Sequence, residues 1–193
     1  MYADTRSLPI YRREVVRSRS LRIFAGCSVL TVLMALGALA RIPLPFTPVP
    51  FTMQVFFLFF GAMALGRRSA GSQAAYVGAG ALGLPIFAGF AGGVSVLTGV
   101  TAGYLAGFVL CAFVIGSFIS KNKPSVKKDA AVIALGMMAY YIPGVLWLSA
   151  VTGIGLKSAF AAGFLPFIAG DVMKAAAAYA IYRKTLPRLK QLF

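Results

Sequence analysis

Apolar residues run along this chain in long stretches, broken by short polar and charged punctuation. No residue from 69 to 120 is charged, and none from 130 to 156. A membrane-spanning helix takes about 20 apolar residues, within a range of roughly 17–25. On that measure the runs predict six spans, near residues 23–40, 50–66, 70–86, 98–120, 130–152 and 165–182. The second and third are short, and Arg67 and Arg68 separate them. Residues 69–120 are too long for one crossing and fit two. They are divided by 85-PIFAGFAGGVS-95, whose proline and glycines predict a loop or re-entrant segment near 85–97. Pro166 suits the first turn of the last helix.

Composition sharpens this picture. Of 193 residues, 60% are hydrophobic, a further 21 are glycine, and 12% are charged, about half the charged share of a soluble domain. A soluble chain of this length lacks the interior to hide so much apolar surface. That argues against a soluble enzyme, a disordered segment and a disulfide scaffold. The expected fold class is an all-α integral membrane protein with six transmembrane helices.

Charge then orients it. The net charge is +15, which in a soluble protein would point to nucleic acid; with this hydropathy it points to the bilayer. Six spans place sixteen of the nineteen basic residues on one side. They are Arg6, Arg12, Arg13, Arg17, Arg19 and Arg22; Arg67 and Arg68; Lys121, Lys123, Lys127 and Lys128; and Arg183, Lys184, Arg188 and Lys190. Arg41 and Lys157 fall on the other side. This asymmetry predicts both termini in the cytoplasm and the protein in the cell membrane. The expected organisation is a basic tail (1–22), a six-helix domain (23–184) and a second basic tail (185–193). The first apolar run exceeds a signal-peptide core and is read as a retained helix. Residues 8–22 form either a basic amphipathic helix on the inner leaflet or a solvated tail.

The chain contains no histidine and no GxxxxGK[ST] nucleotide loop. No catalytic residue, metal site or resident cofactor is expected, and the chain carries no Walker-type ATPase site of its own. Cys27 and Cys111 lie inside apolar runs and read as small core residues. Gly78-x-Gly80-x-x-Gly83 is a lone match to a dinucleotide fingerprint and reads as close helix packing.

Asp171 and Lys174 carry the most information. Charged groups at membrane depth are costly, and a spacing of i, i+3 sets these two on one helix face. From Pro166 they lie roughly 7 Å and 12 Å along the helix at 1.5 Å per residue, reachable from outside. They form either a self-neutralising structural pair or a ligand patch. A carboxylate acceptor beside an ammonium donor complements a neutral group offering N–H and C=O, such as a urea-like ring. Gln54, Tyr76, Thr101, Tyr104, Tyr140, Tyr141 and Trp147 are candidates for the same cavity. A tyrosine in a span is more often packing or an interfacial anchor than a ligand contact, whereas the Gln54 amide would be costly against lipid.

Four stretches, 48-PVPFTMQ-54, 76-YVGAGALGLPIFAGFAGG-93, 99-GVTAGYLAGF-108 and 165-LPFIAGDVMKA-175, together give the chain a recognisable pattern. It resembles the BioY family, the biotin-specific substrate-binding (S) components of energy-coupling factor (ECF) transporters. The resemblance implies six helices, biotin bound from outside, and Asp171 and Lys174 on the ureido ring. It further implies apolar and aromatic contacts from Phe87 and Tyr140, and a pocket wall including Gln54, Thr101 and Tyr104. Two ATPase subunits and a transmembrane coupling subunit would supply energy. The family's GPTGGY segment has Val100 and Ala102 in place of Pro and Gly. Its helix 1 docking pattern, Ala-x-x-x-Ala, is reduced here to Ala35 and Ala38, the expected docking face. The remaining readings are an S component for another vitamin and a non-transport structural membrane protein.

Overall fold

The structure, a computed structural model, describes residues 19–120 and 125–192. The basic positions before Arg19, most of the amphipathic stretch expected over 8–22, and Lys121 and Lys123 lie outside the described residues.

Among the described residues seven α-helices form a bundle: α1 (Arg19–Leu39), α2 (Gln54–Leu65), α3 (Ser69–Ala81), α4 (Ala102–Phe118), α5 (Val126–Thr152), α6 (Leu156–Gly163) and α7 (Leu165–Leu192). Strands β1 (Arg41–Ile42) and β2 (Phe51–Thr52) pair antiparallel between α1 and α2, Arg41 opposite Thr52 and Ile42 opposite Phe51. The hairpin's loop contains Pro43, Pro45, Pro48 and Pro50, whose rings fix φ and remove N–H donors. The segment after α3 is a loop, with a bridge between Phe87 and Ala91 and a short 3₁₀ turn at Val94–Leu97.

Each of the six apolar runs holds one helix, and the structure adds α6, in a stretch the hydropathy pattern left unassigned. α6 and α7 meet at Phe164 with a bend of 40°. Pro166 has no N–H to return to the preceding turn, so the helix breaks there. By length and composition α1 and α5 can each cross a membrane, and α6 with α7 make a third, broken span. α2 and α3 have only 12 and 13 residues, about 18–20 Å, against a hydrocarbon core of about 30 Å. Their shortness has a local cause. Gln54, the first residue of α2, already lines the cavity described below, and α2 follows directly on the β1–β2 hairpin. α7 continues past residue 182 to Leu192, so Arg183, Lys184, Arg188 and Lys190 ride on a helix.

α4 and α5 pack most closely. Gly103 and Gly107 form a GxxxG face on α4, and a Cβ at Gly107 would lie 2.6 Å from the Tyr140 Cα. Small residues let the backbones approach and gain dispersion contacts that lipid cannot outcompete. Cys111 is buried in this seam, Cys27 is half-buried, and both thiols are free. At Gly80 a side chain would run into the Phe87 ring, so this glycine of the 78–83 motif serves packing.

The expected docking face on α1 is corrected at Ala38, while Ala35 is half-buried. Ala38 is fully buried, and a Cβ at Gly37 would lie 2.9 Å from the Gln54 amide nitrogen. These small residues face inward and let α1 approach α2 within the chain. The side of α1 that faces away from the bundle carries Val29, Val32 and Leu36.

Candidate functional site

A cavity of about 220 Å³ opens among the β1–β2 hairpin, the 85–97 loop and α2, α4, α5 and α7. All seven residues expected to hold ligand line it: Gln54, Phe87, Thr101, Tyr104, Tyr140, Asp171 and Lys174. They arrive from five separate segments, brought together by the bundle rather than by proximity in sequence.

At one end stand Asp171 and Lys174, 3% and 8% exposed. The Lys174 ammonium donates to Asp171 Oδ1 at 2.9 Å and to the Thr52 carbonyl at 2.6 Å. It also lies 3.4 Å from the centroid of the Phe51 ring, over its π face. Asp171 Oδ2 accepts the Tyr140 hydroxyl at 2.6 Å and the Tyr141 hydroxyl at 2.7 Å. Buried charges persist where they are paired and hydrogen-bonded, and this pair is both. An ionised carboxylate has about four acceptor positions and an ammonium three donors. The protein thus leaves one acceptor position on Oδ1 and, apart from the Phe51 ring face, one N–H on Lys174.

Neighbouring polar groups are tied down in the same way. Gln54 Nε2 donates to the Tyr76 hydroxyl at 2.8 Å, and that hydroxyl donates to the Ile86 carbonyl at 3.0 Å. Thr52 Oγ1 approaches Gln54 Oε1 at 3.4 Å. Tyr104 donates to the Gly163 carbonyl at 2.9 Å, pinning the end of α6 to α4. Phe87 meets the edge of Tyr76 at 5.4 Å between centroids. Tyr140 packs against Phe59, Phe108 and Tyr141. The walls are mainly apolar and aromatic, with the polar groups already oriented.

A profile of the BioY family matches residues 12–191. The chain belongs to the BioY family. It is 41% identical over 155 residues to the biotin transporter BioY of Thermotoga maritima, covering 80% of this chain and 89% of that protein. To the biotin transporter BioY of Rhizobium etli it is 33% identical over 165 residues, covering 80% and 87%. The crystal structure of the S-component for biotin from an ECF-type ABC transporter superposes with a TM-score of 0.79 at 25% identity. That match covers 91% of this chain and 94% of that one.

In this BioY chain the expected residues converge, joined by two further tyrosine candidates and by residues to which the sequence did not point. Tyr76 and Tyr141 line the cavity. Tyr140 and Tyr141 are consecutive on α5, and both hydroxyls reach one carboxylate oxygen of Asp171 on α7. Trp147 is absent from the lining; its Nε1 donates to the Gly99 carbonyl at 2.9 Å and ties α5 to the loop before α4. Phe51 and the Thr52 carbonyl had no signal, because a backbone acceptor and a ring-face contact leave no mark in a sequence. Arg41, an outer-side charge by count, also lines the cavity. Its guanidinium lies on the Gly89 backbone, where a Cβ would come within 2.6 Å of the Arg41 Cζ. Gly89 has φ +82°, a left-handed conformation suited to glycine.

Proposed function

We propose that this chain is the biotin-binding subunit of a vitamin uptake transporter, a transport subunit rather than an enzyme, energised by partner subunits. The observation that carries this reading is the partly unsatisfied Asp171–Lys174 pair in a buried cavity of a BioY-family fold. The ureido ring of biotin offers N–H donors and a carbonyl acceptor on one small neutral group. One N–H would go to Asp171 Oδ1, and the carbonyl would take the free N–H of Lys174. The fused rings would lie against Tyr140 and Phe87, with Gln54, Thr101 and Tyr104 on the wall. The valerate carboxylate would reach Arg41, the remaining cation of the lining.

The orientation supports uptake from outside. Arg67 lies against Gly116 at the end of α4. Asp129, at the start of α5 beside Lys127 and Lys128, joins the Ser120 amide to Tyr179, and Tyr179 accepts from Arg183. These contacts gather the described basic clusters at one end of the bundle, and Arg41 lines the cavity away from them. We place the basic end and both termini in the cytoplasm, with six crossings of the cell membrane. In this reading a transmembrane coupling subunit and two ATPase subunits provide the power stroke.

Radiolabelled biotin binding to the purified chain tests the ligand, with unlabelled biotin, desthiobiotin and an unrelated vitamin as competitors. Displacement by the unrelated vitamin alone would reassign the chain to another substrate. No binding at all in a folded protein would leave the pair as a structural tie, a reading its four intramolecular contacts also support. In vesicles containing ATP, concentrative uptake is expected with the partners and not with the chain alone.

A further inference from the structure

A second concavity, of about 510 Å³, opens on the flank of the bundle between α5 and α6. Its rim is formed by Ile142, Leu146, Leu156 and Phe160, each at least 45% exposed, and its floor by the buried Tyr141 and Val145. The one charged residue in its lining is Lys157, exposed, in the first turn of α6. α5 and α6 run antiparallel on either side of the turn at 153–155. The groove therefore extends from Leu146 and Lys157 at one end to Met138 and Phe164 at the other, about 12 Å along α5.

Lys157 has no carboxylate to neutralise it among the described residues. These contain two acids, Asp129 and Asp171, and both are committed elsewhere. An apolar groove of this depth with a cation at its lip matches a molecule with a long hydrocarbon chain and an anionic head. We propose that the groove is a binding site for one glycerophospholipid, its acyl chain between α5 and α6 and its phosphate on Lys157. Basic residues at a membrane surface attract anionic headgroups, and packing within lipid rewards a surface shaped to the chain. The site also touches the first cavity. Tyr141 lines both concavities, and its hydroxyl donates to Asp171. The acyl chain supports the outer face of the ring that shapes the ligand pocket. Under the topology proposed above the lipid belongs to the outer leaflet.

The test is native mass spectrometry of the full purified chain with added phosphatidylglycerol or phosphatidylcholine. The unaltered protein is expected to retain one phosphatidylglycerol through a delipidation that strips the rest. Lys157→Ala should retain it about fivefold less, the contribution of one basic residue at an anionic surface. Leu146→Trp, which fills the groove, should retain neither lipid. Both side chains are exposed, so folding is spared, and an unchanged melting temperature checks this. No retained lipid in the unaltered protein, or equal retention in Leu146→Trp, overturns the proposal. So does a photo-crosslinker in place of Leu146 that captures the coupling subunit, rather than phospholipid, in the assembled transporter. None of these masses depends on biotin, so failure here is separate from failure of the ligand reading.

Discussion

Asp171→Asn separates the structural role of one carboxylate from the ligand role proposed for it. Asn keeps the shape and one acceptor oxygen and loses the charge. The oxygen must stay toward Lys174, since an NH₂ group there would face an ammonium 2.9 Å away. The amide nitrogen then faces Tyr140 and Tyr141, whose hydroxyls can turn from donating to accepting. The bundle can therefore fold around Asn, with Lys174 still held by the Thr52 carbonyl and the Phe51 ring. The ligand loses an ionised acceptor. A hydrogen bond to a charged group is worth about 1.5–3 kcal/mol, so the Kd for biotin should rise about 10- to 150-fold. Lys174→Met removes the partner donor and the tie to β2, and should weaken binding over the same range.

Stability gives the internal control. Removing one member of a buried pair costs about 3–5 kcal/mol, whereas removing both can be close to neutral. Here the cost should fall at or below the lower bound, since each residual group keeps two partners. The double variant Asp171→Asn/Lys174→Met should thus melt higher than the sum of the single effects predicts, while binding no biotin. The assay is titration calorimetry with biotin alongside thermal unfolding of the four proteins. A Kd within twofold of the unaltered protein in both single variants, with intact folding, would refute the ligand assignment.

Arg41→Ala should weaken binding of biotin but leave biotin methyl ester nearly unaffected, as competition binding would reveal; equal losses for both would remove Arg41 from the carboxylate. Gly107→Ala places a methyl 2.6 Å from the Tyr140 Cα and should destabilise the α4–α5 seam by about 1–3 kcal/mol through overpacking, read as a lowered melting temperature. Ser125→Cys, in a background lacking Cys27 and Cys111, should react with a membrane-impermeant maleimide only after the cells are opened. Labelling from outside intact cells would overturn the proposed orientation.

How far the sequence was readable follows from what burial does to each residue type. Asp171 and Lys174 stood out because charge inside an apolar run has few bland explanations. Gln54 stood out because an amide is costly against lipid, and it begins α2 at the cavity. The tyrosines were ambiguous, because an aromatic with a polar tip suits core, interface and ligand site alike, and only the approach of α7 shows which. Hydropathy could place six apolar runs, yet it could not show that α2 and α3 stop short. A hairpin and cavity substitute for helix without changing the apolar count. α6 was hidden because Gly153, Gly155 and Lys157 resemble a loop, whereas the glycines precede a short helix and Lys157 lies in its first turn. Ala38 was read as part of an outward face because small-residue spacing reports close approach, not which neighbour approaches. Arg41 was read as a flanking charge because sequence position gives its side of the membrane and not the fold of the hairpin over the cavity.

A transport site differs from a permanently occupied one in having to be stable on both sides of the binding event. Two unscreened buried charges would collapse or neutralise whenever ligand left. Here the protein supplies its own partners, two phenols on one oxygen and a carbonyl and ring face on the ammonium. Binding therefore need not supply the desolvation of the pair, which folding has already met. On the proposed assignment only the last acceptor position and the last N–H would remain for biotin, and its hydrogen bonds would enter a site whose geometry is set beforehand. The same arrangement ties β2, α5 and α7 to a single carboxylate. An altered Asp171 thus changes both affinity and stability, and a drop in melting temperature alone does not count against a ligand role. The ratio of the two effects does. A purely structural tie would move stability and leave Kd unchanged in the molecules that remain folded, whereas a ligand contact moves Kd at a fixed folded fraction.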